Sequence, residues 1–584
     1  MTFPNRNTLW AEVLVDELAA GGVDAVCLSP GSRSTPLTIA FATHPDIETF
    51  SHLDERSGAF FALGRARRTG RPTPIVCTSG SAAANFHPAV MEASESRVPM
   101  LVLTADRPPE LRDSGANQTT DQVKLYGDSV RWYRDLPEPE ADDRKLRSLR
   151  VTLARALAKA TDTPPGPVHL NVPFRKPLEP TPVPGDVPTE FLERASPSVD
   201  GRAGQFVETT QGRPTLDSAA LDALVSTVES ADRGVIVCGP ADEPTPSRQS
   251  LARLSKATGF PVLADPLSGH RFTPVLSECV ICGGYDSYLD GCPWPDPDVV
   301  VRFGASPTSK VLRTYLASAT TRQFVVDPAG DWPEAEFTAT DLVVADPTWF
   351  AERVADEVSE PCSSTYRERF ERAERSYWEL VTAARETQLF EGDVVATVAA
   401  HTPGGATLFV SNSMPVRDLD RFGQPRADDV TVLGNRGVSG IDGIISTGLG
   451  AGSATDGPLV LVTGDLAFYH DMNGLLALSR CDVDATIVLI DNDGGGIFHM
   501  LPVEEFDPPF TEQFKTPHGL EFSPVADLYD FEFVRVSTRE ELVDSFDTSL
   551  ATDGTQVISV ELDGEASHRY RERLHERVRT ELYD

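Results

Sequence analysis

Two oxygen-bearing side chains, Asp465 and Asn492, stand at the ends of two successive apolar runs. The run "PLVLV" leads into "TGDLAFYHDMNGL", and the run "ATIVLI" ends in "DNDGGGIF". If both runs are buried strands, the two residues lie one βαβ unit apart on the edge of a parallel sheet where ligands bind. Their oxygens can then meet on one small hard cation. Mg²⁺ takes few protein ligands and completes its shell with water and phosphate oxygens. Gly494, Gly495 and Gly496 let backbone groups approach such a phosphate closely. Each side chain alone has a plainer role, a helix N-cap for Asp465 and an Asx turn for Asn492. Paired at this spacing, they favour the metal–phosphate reading.

The elements needed to position them recur along the chain. "DAVCLSPGSRSTPLTIAFATH" reads strand, tight turn, helix; "TPIVCTSGSAAANFHPAVMEA" repeats it, and "PMLVLTADRPPEL" adds another buried strand. Short β-branched runs separated by helical stretches imply parallel sheets covered on both faces. Two stretches rich in Pro, Gly and acidic residues punctuate the pattern, one at 178–214 and one near 356. The expected architecture is α/β, with three consecutive doubly wound parallel-sheet domains. Their boundaries are set at 1–180, 215–355 and 356–584, with a linker over 181–214. No short-period repeat or low-complexity segment interrupts this layout.

Composition narrows the function. The 584 residues carry 88 acidic against 52 basic side chains, a net charge of −36. Such a surface disfavours nucleic acid and anionic membranes as partners. The acids are spread along the chain, and this much self-repulsion suits a protein that works in high salt. No apolar run is long enough to span a bilayer. The opening "MTFPNRNTLWAEVLVDELAAGG" reads as a helix rather than a secretory signal, so a cytoplasmic location is expected. Cys279-x-x-Cys282 is followed by Cys292, but a zinc site usually takes four ligands in two close pairs. No zinc is assigned.

Gly-Asp, a little under thirty residues, then Asn resembles the thiamine-diphosphate motif of the decarboxylase and acetolactate-synthase superfamily. Here it reads "GDLAFYHDMNGLLALSRCDVDATIVLIDN", with Leu466 where many members have a third small residue. The segments "LSPGSRSTPLTIAF", "SHLDERSGAFFALG", "TSGSAAANFHPAVMEA" and "LTADRPPELRDSGANQTTDQ" narrow the resemblance. With "FGASPTSK", "SNSMPVRDLDRF" and "GNRGVSGIDGIISTGLG", they are similar to the 2-succinyl-5-enolpyruvyl-6-hydroxy-3-cyclohexene-1-carboxylate synthases of menaquinone biosynthesis.

That resemblance implies a pyrimidine-binding domain, a central domain that binds no cofactor and a diphosphate-binding domain. The cofactors implied are thiamine diphosphate and Mg²⁺ (or Mn²⁺). Glu55 would hydrogen-bond the pyrimidine ring and promote loss of the thiazolium C2 proton. Ile441 would wedge beneath the cofactor. Asp465, Asn492 and Gly494 would hold the metal, with Gly464 and Gly495 beside the cofactor. Ser32, Arg33, Arg107, Asn117, Gln118 and Lys310 would bind isochorismate, while Ser413, Arg417 and Arg436 would face the succinyl carboxylate of 2-oxoglutarate. Arginine suits such dicarboxylates because it grips carboxylates bidentately. Some relatives have a basic pair where this chain has Lys310-Val311, so the second cation is either missing or supplied by Arg313. The resemblance also implies a homodimer or homotetramer with active sites shared between chains.

Two other readings stay open at this point. A different thiamine-dependent 2-oxoacid enzyme would share the Gly-Asp…Asn motif, but is not expected to carry "SPGSRSTPL" or "TADRPPEL". A non-catalytic Rossmann-like protein would want Gly-x-Gly-x-x-Gly after its first strand, where "SPGSRST" has a single glycine.

Overall fold

The β-branched runs form the strands of three six-stranded sheets, every pairing parallel. The computed structural model describes residues 3–193, 197–242, 244–290, 294–319 and 321–582. The first sheet contains β1 (Ala25–Ser29), β2 (Glu48–Ser51), β3 (Thr73–Cys77), β4 (Met100–Asp106), β5 (Trp132–Asp135) and β6 (Pro167–Pro173). The second contains β7 (Gly234–Cys238), β8 (Val262–Ala264), β9 (Ile281–Cys282), β10 (Val299–Phe303), β11 (Arg322–Val326) and β12 (Asp341–Val343). The third contains β13 (Thr407–Val410), β14 (Thr431–Leu433), β15 (Leu459–Gly464), β16 (Thr486–Asp491), β17 (Glu532–Val536) and β18 (Gln556–Glu561). Most inner strands are buried along their full length, as strands covered on both faces must be.

Strand order tells the sheets apart. The first runs β2-β1-β3-β4-β6-β5 and the third β14-β13-β15-β16-β18-β17, which is the same topology. The second runs β12-β11-β10-β7-β8-β9, the dinucleotide-fold order. Where the strand order reverses in a parallel sheet, the loops beyond the strand ends can part to leave a crevice. In the first sheet this lies between β1 and β3, in the third between β13 and β15. At the matching place of the second sheet the two loops are bonded together. Gly239 N–H donates to Phe303 O (2.9 Å) and Ala305 N–H to Pro240 O (2.9 Å).

The chain divides into two compact units. The first comprises 1–211 with 435–454 and 471–483; the second comprises 212–434, 455–470 and 484–584. Within the first, the stretch expected as a linker folds back as far as Gln211. Buried Arg150 donates to Ser198 O and Val199 O and pairs with Glu17 at 2.9 Å. Within the second, the helix Ser364–Arg385, just past the expected boundary at 355, packs Tyr366, Phe370, Tyr377 and Trp378 against Val235, Val237 and Val300 of the central sheet.

Among the described residues no helix is long and apolar enough to cross a membrane. Cys282 is buried on β9 and Cys279 is half-buried beside it, while Cys292 lies outside the described residues.

Candidate active site

In the second unit, Gly464 pairs with Ile490, so β16 runs one residue past β15 and Asp465 comes level with Asp491, next to Asn492. Asp465, 2% exposed, starts the short helix Asp465–His470. Its Oδ1 accepts from Leu466 N (2.6 Å), and its Oδ2 accepts from Asn492 N (3.3 Å) and Gly494 N (2.9 Å). Asn492 Nδ2 donates to Glu391 Oε1 at 2.7 Å, which leaves Oδ1 buried with no hydrogen-bond partner. Gly494 has φ +138°, and a methyl there would stand 2.1 Å from Lys515 O. A bend this tight admits only glycine. Gly495 N–H donates to the same carbonyl at 2.7 Å.

An unbonded buried amide oxygen beside a buried carboxylate is costly unless something positive joins them. The donor set is all oxygen, which suits Mg²⁺ or Mn²⁺. The residues therefore fit a divalent cation. Two neighbours add to the site. The ligand atoms of Asp465, Asp491 and His518 lie within 4.8 Å of one another. Burial and the Asp465 charge push the Asp491 carboxyl up to about 6. Leu520 N–H donates to His518 Nδ1 (2.9 Å), so the ring proton sits on Nε2 and points to Asp465 Oδ2 at 3.1 Å.

At the other side of the same crevice, beyond β13, Ser413 holds φ +68°, a strained conformation for a residue with a side chain. Arg417, one turn along the helix Met414–Phe422, donates Nη1–H to Ser413 O at 2.6 Å. Three buried ion pairs fix the far end of this helix: Asp418–Arg571 (2.7 Å), Asp420–Arg271 (2.8 Å) and Arg421–Asp286. Lys310 is exposed at the start of the helix Lys310–Ser318. The Arg313 guanidinium is engaged by Pro307 O (2.7 Å), Thr308 O and Glu336.

In the first unit, side chains gather beyond β1, β3 and β4. Ser32 and Arg33 form a single 3₁₀ turn after β1, Ser32 exposed and Arg33 buried. Arg33 N–H donates to Thr78 Oγ1 (3.1 Å) and its Nη1 to Phe174 O (2.7 Å). Burial and the Arg107 charge hold the Arg33 guanidinium below its usual range, with Asp106 opposing them. Arg107 Nε–H reaches Gln118 O at 3.4 Å. Gln118, at φ +52°, is clasped by Ser79 through two hydrogen bonds, and Asn117 precedes it on the exposed loop. Glu55, half-buried, opens the helix Glu55–Thr69 behind its N-cap Asp54 and accepts from Asn85 Nδ2 at 3.1 Å. Ile441, half-buried, precedes the helix Ile444–Gly452. Arg436 lies on a loop held by buried Glu92, which accepts from Gly437 N (2.8 Å) and Val438 N (2.7 Å).

Residues 9–125 match the profile "Thiamine pyrophosphate enzyme, N-terminal TPP binding domain", and residues 426–560 match its "C-terminal TPP binding domain" counterpart. Proteins named 2-succinyl-5-enolpyruvyl-6-hydroxy-3-cyclohexene-1-carboxylate synthase are similar over the whole chain. The one from Haloarcula marismortui is 62% identical, with 99% of each chain covered. Those from Natronomonas pharaonis and Haloquadratum walsbyi are 58% and 57% identical over 100% of each chain. The chain belongs to the 2-succinyl-5-enolpyruvyl-6-hydroxy-3-cyclohexene-1-carboxylate synthase family. Members of this family from halophilic archaea dominate its relatives, in keeping with the charge of −36.

Membership makes the protein a thiamine-pyrophosphate enzyme. Of the residues expected to serve the family's chemistry, Asp465, Asn492, Gly494 and Gly495 converge in the second unit. Ser413 and Arg417 form a second group there. Arg33, Arg107 and Gln118 converge in the first unit. Glu391, Asp491 and His518 escaped the sequence reading. Asp491 adjoins Asn492 and could have been picked out as a second acid on the strand end. Glu391 and His518 come from distant segments with no motif around them.

Proposed function

We propose that this protein is the transferase that decarboxylates 2-oxoglutarate and adds the resulting succinyl unit to isochorismate, forming 2-succinyl-5-enolpyruvyl-6-hydroxy-3-cyclohexene-1-carboxylate for menaquinone biosynthesis. The observation that carries this reading is the buried Asp465 carboxylate, bonded to the backbone of an Asn492 whose Oδ1 is left unbonded, in a chain that matches the family from end to end. Asp465, Asn492 and Gly494 would hold Mg²⁺ or Mn²⁺, with Gly464 and Gly495 against the diphosphate. Thiamine diphosphate, when bound, supplies the electron sink for loss of CO₂.

The protein's own groups divide the remaining work. Glu55 would hydrogen-bond the cofactor's pyrimidine ring, and Ile441 would pack beneath the cofactor. Ser413, Arg417 and Arg436 orient the succinyl carboxylate. Ser32, Arg33, Arg107, Asn117, Gln118 and Lys310 bind isochorismate. The neighbouring Arg33 and Arg107 charges support this assignment, because two guanidinium groups in one pocket favour a dianion. Arg313, already bonded to its own loop, is a poor candidate for a second cation beside Lys310.

The reading extends to a cytoplasmic homodimer or homotetramer with shared active sites. The test is mass spectrometry of the product formed from 2-oxoglutarate and isochorismate with thiamine diphosphate and Mg²⁺. A product lacking the isochorismate carbons, or none in molar salt, would overturn it.

A further inference from the structure

A carboxamide has two ends of similar size and opposite chemistry, and only its oxygen can bind a cation. Which end of Asn492 faces the cation is therefore decided by what holds the other end. Nδ2 donates to Glu391 Oε1 at 2.7 Å, and Oδ1 has no partner. Glu391 is 5% exposed and opens the helix Glu391–His401, so its carboxyl is fixed to a rigid element. Glycines shape the same spot. A methyl at 496 would stand 2.7 Å from Asn492 Nδ2, and one at 564 would stand 3.4 Å from Asn492 Cβ. Glu391 lines a small cavity with Gly496, Gly564, Asp418, Ser567 and Arg571. There Arg571 donates to Asp418 Oδ1 at 2.7 Å, so that pair occupies itself and leaves Glu391 to Asn492.

We propose that Glu391 is a positioning residue for the cation site: it grips the Asn492 carboxamide by Nδ2 and so presents Oδ1 beside Asp465. This rests on the cation reading of Asp465 and Asn492 above and adds to it a residue outside the coordination shell. Without the acceptor, the amide can turn and offer a repelling N–H₂ to the metal. Groups that orient metal ligands in this way are worth roughly 10–100-fold in affinity.

The experiment measures Mn²⁺ binding to the full chain, by electron paramagnetic resonance of the free ion, with thiamine diphosphate present and no substrate. Glu391→Leu should bind Mn²⁺ roughly 10–100-fold more weakly. Glu391→Gln, whose side-chain carbonyl still accepts from Nδ2, should stay near wild type. In an Asn492→Asp background both ends of the side chain are oxygens, so there is no wrong end to present. There Glu391→Leu should leave the affinity unchanged.

The proposal falls if Glu391→Leu binds like wild type, or if Glu391→Gln loses as much as Glu391→Leu. It falls too if Glu391→Leu weakens binding equally in the Asn492→Asp background, as a general loosening of the fold would. If circular dichroism finds Glu391→Leu unfolded, Gly496→Ala replaces it. Its methyl would push Nδ2 off Glu391, so a matching loss supports the proposal and wild-type affinity refutes it. Asp465→Ala separates the two levels. Wild-type affinity in that variant sinks the cation reading itself; abolished binding there, with Glu391→Leu unaffected, sinks only the positioning role.

Discussion

Arg33 and Arg107 have little reason to be neighbours in a protein with so many acidic residues. A folded chain that carries 88 carboxylates could easily have placed one between them. Instead, Arg33 bonds to the Phe174 carbonyl and the Thr78 hydroxyl, and Asp106 pairs with Arg112 at 3.1 Å. A guanidinium pair beside a strained Gln118 at a strand-end crevice suits a ligand dianion. Charged hydrogen bonds of this kind are worth about 1.5–3 kcal/mol, or roughly 10–100-fold. Arg107→Ala should therefore slow product formation from isochorismate by that factor. Decarboxylation of 2-oxoglutarate, followed with an artificial electron acceptor, should be nearly unchanged. Equal losses in both assays would assign Arg107 to the cofactor or the fold.

At the scale of elements, what was legible in the sequence was what repeats locally. Five- or six-residue β-branched runs mark the inner strands, and the polar residue after each run marks the ligand-binding edge. The residues named beside Asp465 were found because each follows a strand of the same sheet. Glu391 was not, since it reaches Asn492 from 101 positions away and has no motif around it. The helix Ser364–Arg385 looked merely polar because its apolar stripe, Tyr366, Phe370, Tyr377 and Val381, is diluted by charge. Close helix contacts are also invisible in one dimension. In the first unit, the helix that begins with Glu55 crosses the helix Ile444–Gly452 so closely that a methyl at Gly64 would lie 1.9 Å from Thr447 O. Only backbone movement could relieve that clash. Overpacking of this kind costs about 1–3 kcal/mol or more. Gly64→Ala should lower the melting temperature and, by shifting the helix that carries Glu55, weaken thiamine diphosphate binding in calorimetry. A variant that melts and binds like wild type would mean the crossing yields more easily than the geometry implies.

For the whole molecule, the question is how a net charge of −36 is tolerated. Screening by salt is one way and protonation of carboxylates is another, and they do not have the same consequence here. Salt shortens the range of repulsion without touching the interior. Acid reaches the interior, where histidines and carboxyls pull in opposite directions. Burial holds His52 and His270 at about 4 and His169 at about 3, all below the usual value near 6.5. An imidazole whose folded value is depressed stabilises the fold fully above about 6.5. That contribution is lost as the pH falls from there toward the folded value, because the unfolded chain takes up the proton first. At about pH 5 each of the three would cost on the order of 2 kcal/mol. Burial holds the Asp420 and Asp471 carboxyls up to about 7, so each takes its proton in the folded state first and adds stability as the pH falls, against the histidines. Ordinary carboxylates, titrating near 4, would still be mostly ionised and repelling. The buried groups oppose one another while the surface keeps its charge, so acid to this point does not replace salt. The expectation is that molar KCl at neutral pH raises the melting temperature and activity well above their low-salt values. Moving to about pH 5 at low salt should not restore that melting temperature, because most surface carboxylates stay charged. A low-salt sample at neutral pH as stable as one in molar KCl would refute the screening argument. A low-salt sample that reached the molar-KCl melting temperature at about pH 5 would show that protonation relieves the repulsion as well as salt does.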